Sequence, residues 1–76
     1  MSNASSVLEV ARARRALPPV NDRKRIRQDA RVSREAMGGD LGVSPGAIYL
    51  WESGGEPSAR HIVPYLRLLQ ALESEG

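Results

Sequence analysis

VSREAMGGDLGVSPGAIYLWESGG, residues 32–55, holds two short helical patterns with one tight turn between them, and that arrangement decides the fold. Ser33 is a good N-cap because its side-chain oxygen can accept from a free backbone N–H of the first turn, and Glu35 suits the positive end of the helix it opens. Ala36, Met37 and Leu41 fall on the inward face, and the helix ends at Leu41. Gly38 and Gly39 each weaken it by up to about 1 kcal/mol relative to Ala, so packing must hold it. Gly42 permits a positive φ for the turn, and Ser44-Pro45 supplies an N-cap followed by a first helical residue. Ile48 and Trp51, at i, i+3, face the core of a second helix over about residues 45–53, which Gly54-Gly55 stops.

The flanking residues extend the helical reading in both directions. Residues 1–5, MSNAS, read as a disordered leader or tag remnant. Ser6 and Glu9 have capping-box spacing, and Val7, Val10, Ala11 and Leu17 make a rough stripe up to Pro18-Pro19, so residues 6–17 are expected as an N-terminal helix or arm. Asn21 or Asp22 can cap the next helix, which carries Ile26 and Ala30 on one face with Arg23, Lys24, Arg25 and Arg27 around them. That stripe is thin: residues 6–17 either fold back to lend it Val10 or Leu17, or fray. Downstream, Glu56-Pro57-Ser58 leads into a last helix with Ile62, Leu66, Leu69 and Leu72 on one side and Tyr65 and Leu68 widening the stripe. Pro64 requires that this helix begin near His61 or be kinked. With no alternating strand pattern, the expected fold is all-α: a compact helix-turn-helix bundle of four to five short helices, with residues 18–76 as the helix-turn-helix domain.

Seventy-six residues make one small domain with a modest core and no room for a cleft between lobes. There is no Cys, His61 is the single His, and no Gly-rich phosphate loop or metal-ligand spacing occurs. No enzyme, cofactor or metal is therefore expected. The chain also lacks an apolar run near the roughly 18 residues of a membrane span and the pattern of a secretory signal, which makes the cytoplasm the expected compartment. Net charge is only +2, but it is unevenly placed: from Arg12 to Arg34 nine basic residues face Asp22 and Asp29, a balance of +7. From Glu35 onward, Arg60 and Arg67 face six acidic residues, a balance of −4. A basic half beside an acidic half is a footprint for nucleic acid, although solvated helix faces would give the same count.

The string IRQDARVSREAMGGDLGVSPGAIYLWESGGEPS, residues 26–58, resembles the Cro/repressor-type (XRE, lambda-repressor-like) helix-turn-helix domains of bacteria and their phages. The matching positions are Ile26-Arg27, Ala30, Val32-Ser33, Met37-Gly38, Leu41-Gly42-Val43-Ser44, Ile48, Trp51-Glu52, Gly54 and Pro57. The resemblance implies a double-stranded DNA-binding transcriptional regulator, Cro-like or a small repressor, with residues 45–53 in the major groove. It implies an ion pair between Arg27 and Glu52, close helix crossing at Gly38, and phosphate contact from Ser33 and Arg34. The exposed reading positions it assigns are Ser44, Pro45, Gly46, Tyr49 and Leu50; Ala47, as an apolar partner for a thymine methyl group, and Arg60 near the start of the last helix complete the expected DNA-binding residues.

These reading positions depart from the family's polar habit. Base edges are met mostly by Arg, Lys, Asn or Gln, whereas Pro45, Gly46, Ala47 and Leu50 can offer only apolar contact, for which a thymine methyl group is the fitting partner. Most affinity is then expected from phosphates, through Arg34 and the basic region, with Tyr49 and Leu50 setting preference among sites. A homodimer through the C-terminal helix or the N-terminal segment is expected, because such domains read paired half-sites and Tyr65, Leu68 and Leu72 look surplus to one core. The rival expectation is a protein-interaction module on the same fold, anti-repressor or antitoxin-like, using the apolar helix 45–51 and the broad stripe on residues 62–72 as contact surface.

Overall fold

In a computed structural model the backbone is described for residues 3–75 and the side chains for residues 6–75. Five helices follow one another: α1 (Asn3–Ala16), α2 (Val20–Asp29), α3 (Arg34–Leu41), α4 (Pro45–Glu52) and α5 (Ala59–Glu75). The fold is an all-α bundle, with no strand among the described residues. The long α5 packs against α1, α2 and α3, while α4 packs on α2 and α3. Ile26, Met37, Ile48, Trp51, Tyr65 and Leu69 form the core cluster, so four of the five helices contribute to it.

The turn-linked pair follows the local signals in its sequence. The Ser33 side chain accepts from the Ala36 N–H at 3.0 Å, and the Ser44 side chain accepts from the Ala47 N–H at 3.1 Å. Gly42 takes φ 72°, in the left-handed region that favours glycine, and the next residue, Val43, donates its N–H to the Gly38 carbonyl at 2.8 Å. Gly38 allows the close crossing: a Cβ there would stand 2.6 Å from the Val43 carbonyl oxygen. Gly39 has nothing within 4 Å of such a Cβ, so its cost to the helix has no packing benefit.

Other expectations are corrected. The first helix starts at Asn3 rather than Ser6, so residues 3–5 of the expected leader carry helical backbone, and residues 1 and 2 lie outside the described residues. It lies along α5 and buries Ala13, with Val10 and Leu17 half-buried; Val7, placed on the inward stripe above, is exposed together with Leu8. Neither Asn21 nor Asp22 caps α2. The cap is Pro19, whose carbonyl accepts from the Asp22 N–H at 2.9 Å, which moves Asn21 and Asp22 into the first turn. The last helix begins at Ala59, two residues ahead of His61, and continues through Pro64. The donor that Pro64 lacks would have served the carbonyl of Arg60, and both residues are exposed, so solvent can take its place.

Tyr65 is the largest revision in the core. It is fully buried, with its ring centroid 4.9 Å from that of Trp51, while Leu68 and Leu72 are half-buried against the same cluster. Tyr65 therefore belongs to one domain's core, while Leu68 and Leu72 pack on that core and keep part of their surface exposed.

Candidate nucleic-acid interface

The tight α3–α4 crossing sets α4 on the outside of the bundle with one face free. Ile48 and Trp51 turn inward, and Tyr49 and Leu50 turn outward, 55% and 59% exposed. Ser44, Pro45 and Gly46 at the N-terminal end are exposed as well. Ala47 is half-buried and packs against the core cluster, which removes it from the outward set. Helical spacing explains this, because residue 47 lies one turn from Trp51 and shares its side. The Ser44 hydroxyl caps the helix with its oxygen, leaving its O–H able to donate outward.

Beneath this face lies a buried charged centre. Glu52 accepts two bonds from Arg27, Nε to Oε2 at 2.5 Å and Nη2 to Oε1 at 3.1 Å, a two-pronged match of guanidinium to carboxylate. Arg27 also donates from Nη1 to the Val32 carbonyl at 2.9 Å, closing the loop between α2 and α3. The same Oε1 accepts from Arg34 Nε at 3.3 Å. One carboxylate, its side chain 1% exposed, thus joins α2, α3 and α4. Two buried or half-buried cations on one anion leave the centre with positive charge, and its outer end is Arg34.

Arg34 is the residue through which this centre reaches the surface. Its guanidinium carbon lies 5.2 Å from the centroid of the Tyr49 ring, within the range of a cation–π contact. It therefore sits at the edge of the exposed α4 face, beside Tyr49. Ser33, exposed and one residue earlier, spends its side-chain acceptor on the α3 cap. Arg60 is exposed on the first turn of α5 and makes no hydrogen bond or ion pair with the other expected site residues among the described residues.

The basic half is less outward than its count suggested. Arg23 is buried, donating from Nε to the Pro18 carbonyl at 2.9 Å and from Nη1 to the Trp51 carbonyl at 3.1 Å. It supports the C-terminal end of α4, where carbonyls lack helical partners and a cation is favoured. Arg25 lies within 3.3 Å of Asp22 and 3.5 Å of Asp29, and Arg14 bonds Glu56 at 2.9 Å. Arg12, Arg15, Lys24 and Arg31 are exposed and form no ion pair among the described residues. Sequence reasoning missed Arg23 because both of its partners are backbone carbonyls, one of them 28 positions away.

Among the described residues no group of three or more His, Asp or Glu side chains could hold a metal ion, and no helix is long and apolar enough to cross a membrane. His61 is half-buried, its ring 5.9 Å from that of Trp51 and its Nδ1 3.1 Å from the Ser58 hydroxyl. No protein-family model, curated protein or solved structure matches the chain.

Proposed function

We propose that this chain binds double-stranded DNA through α4 and the N-terminal end of α3, as a Cro-like or small repressor-type transcriptional regulator in the cytoplasm, and that it is not an enzyme. The observation that carries the reading is the outward face of α4, with Tyr49 and Leu50 exposed on a helix whose opposite side is fully committed to the core. A helix held in this way can enter a major groove about 12 Å wide. Arg34 stands beside that face with part of its guanidinium unpaired, the chemistry a flanking phosphate needs. The resemblance of residues 26–58 to the Cro/repressor-type domains adds to this reading by analogy.

Affinity in this reading comes mainly from phosphates and selectivity from a small apolar contact. Pro45, Gly46 and Leu50 offer no side-chain hydrogen bond to a base, so thymine methyl groups are their partners, with the Ser44 and Tyr49 hydroxyls as the nearby polar groups. The test is binding of the purified chain to duplex DNA across a salt series. Wild-type protein should bind duplex DNA at low salt, and Arg34→Ala should lower the magnitude of the log-affinity versus log-salt slope by about 0.9, one phosphate's share. A chain that binds no duplex at low salt would instead be a protein-interaction module, its apolar α4 face meeting a protein partner.

A further inference from the structure

We infer that Tyr49 is a positioning residue for Arg34, acting on DNA through that arginine rather than by reading a base. The inference rests on the DNA-binding reading above and divides Tyr49 from Leu50, its neighbour on the same exposed face. Three observations carry it. The Arg34 guanidinium carbon lies 5.2 Å from the Tyr49 ring centroid, so the ring is occupied on one face by protein. Arg34 Nε is fixed to Glu52 Oε1 at 3.3 Å, and Glu52 is itself held by Arg27. The remaining Arg34 donors, on Nη1 and Nη2, carry no hydrogen bond to another described residue.

A guanidinium has five N–H donors in a rigid plane. Here the carboxylate engages Nε and the guanidinium carbon stands over the ring, which together leave the Nη1 and Nη2 donors free. A free arginine side chain must lose its rotamer freedom when a phosphate captures it, whereas one already held between a carboxylate and a ring has lost much of it beforehand. Leu50 has no such partner and remains an independent contact with whatever lies against α4. Tyr49 and Arg34, assigned separate roles from sequence, therefore act as one unit.

The experiment is a double-mutant cycle read on two duplexes, one selected for tight binding and one scrambled, together with the Arg34 Nε–H signal in NMR spectra of the free protein. Tyr49→Ala should weaken binding to both duplexes by the same factor, about two- to fivefold, the range of an exposed cation–π contact. Tyr49→Phe keeps the ring and should stay within about twofold of wild type. Adding Tyr49→Ala to Arg34→Ala should cost nothing further, since the ring then has nothing to hold. In the free protein, Tyr49→Ala should loosen the Arg34 Nε–H on the fast timescale seen by relaxation, and Tyr49→Phe should not. Tyr49 is 55% exposed, so these variants keep the core intact.

A Tyr49→Ala penalty that differs between the two duplexes and adds fully to that of Arg34→Ala would show that the tyrosine reads a base itself, and the inference would be lost. An Arg34 Nε–H equally ordered with and without the ring would overturn it too, while leaving the DNA-binding reading intact. Wild-type protein that binds neither duplex would overturn both.

Discussion

Helices α4 and α5 sort their side chains in opposite ways. Helix α5 does what a folding helix needs: Ile62, Tyr65 and Leu69 are buried, and Arg67, Gln70 and Glu73 face solvent. Helix α4 buries a carboxylate, Glu52, and turns Tyr49 and Leu50 outward. Exposed apolar residues are common singly, but a buried charge and an adjacent pair of large exposed apolar side chains on one two-turn helix are informative. Folding alone explains α5. In α4 the buried charge fixes the helix against α2 and α3, and the apolar exterior takes no part in the core.

The sharpest way to break this comparison is to remove the inner charge. Glu52→Ala leaves Arg27 buried without its carboxylate and frees Arg34, and it should cost about 3–5 kcal/mol, the penalty of an uncompensated buried charge. The corresponding change on α5, Glu73→Ala at an exposed position, should stay within about 0.5 kcal/mol. Urea denaturation midpoints of the two variants measure the contrast. A Glu52→Ala cost below about 1 kcal/mol would mean that Glu52 is not the tie between three helices. The large penalty for breaking the pair does not make it a large net stabiliser, since an apolar substitute for both partners can do as well.

The second test sharpens the comparison at its point of contact, where Tyr65 of α5 meets the charged centre under α4. The Tyr65 hydroxyl is buried with no hydrogen-bond partner in the structure, and its pKa is pushed up from 10.0 to about 12. Burial is the main cause and the charge of Glu52 the second, opposed by Arg23 and Arg27. The folded state thus holds this proton more tightly than the unfolded chain does. The sign follows: the stabilisation is fully present below about pH 10, where both states are protonated, and is lost as pH rises from about 10 to 12. About two pH units correspond to about 2–3 kcal/mol, which wild type should lose over that window and Tyr65→Phe should not. The difference between the two stability curves cancels the titrations they share. Parallel curves above pH 10 would rule out the asymmetry.

Sequence made the turn-linked pair legible because its determinants are local. Ser33 and Ser44 cap the helix that begins one residue later and Gly42 supplies the left-handed turn, as observed; the close crossing at Gly38, also observed, was implied by the resemblance. The end of α2 was illegible for the same reason inverted. Arg31 takes φ 59° and donates its N–H to the Gln28 carbonyl at 2.9 Å while Val32 donates to the Arg27 carbonyl at 3.2 Å, a helix stop usually marked by glycine. No glycine was there to read. Arg23 was counted in the basic half because sequence gives its type and not its neighbours, which are backbone carbonyls. Tyr65 was placed at the margin of a stripe although it lies at the centre, since periodicity shows a face but not where the opposing helices cross it. Of the candidate site, the exposed row Ser44, Pro45, Gly46, Tyr49 and Leu50 followed from the resemblance, and Ala47, expected with it, turns inward. The link from Glu52 to Arg34 to Tyr49 was not legible, because it joins three positions on two helices through side-chain geometry alone.

A small expected stability effect at the exposed Leu50 of α4 separates folding from binding most cleanly. Leu50 is 59% exposed, so Leu50→Ala should change stability by no more than about 0.5 kcal/mol. Leu69→Ala, the same chemical change in the core face of α5, should cost about 2–5 kcal/mol. Thermal unfolding of the two variants gives the folding half of the contrast. In DNA binding the order should reverse between the parts of one interface: Leu50→Ala should shift preference among duplexes differing at a thymine, by at most about 1–3 kcal/mol, while leaving the salt slope near its wild-type value. Apolar contact to a methyl group displaces no phosphate counterion, so it carries discrimination without salt dependence. Should Leu50→Ala alter neither preference nor affinity while the protein still binds duplex DNA, the apolar face of α4 does not touch bases, and the inversion seen on that helix would need a protein partner to explain it.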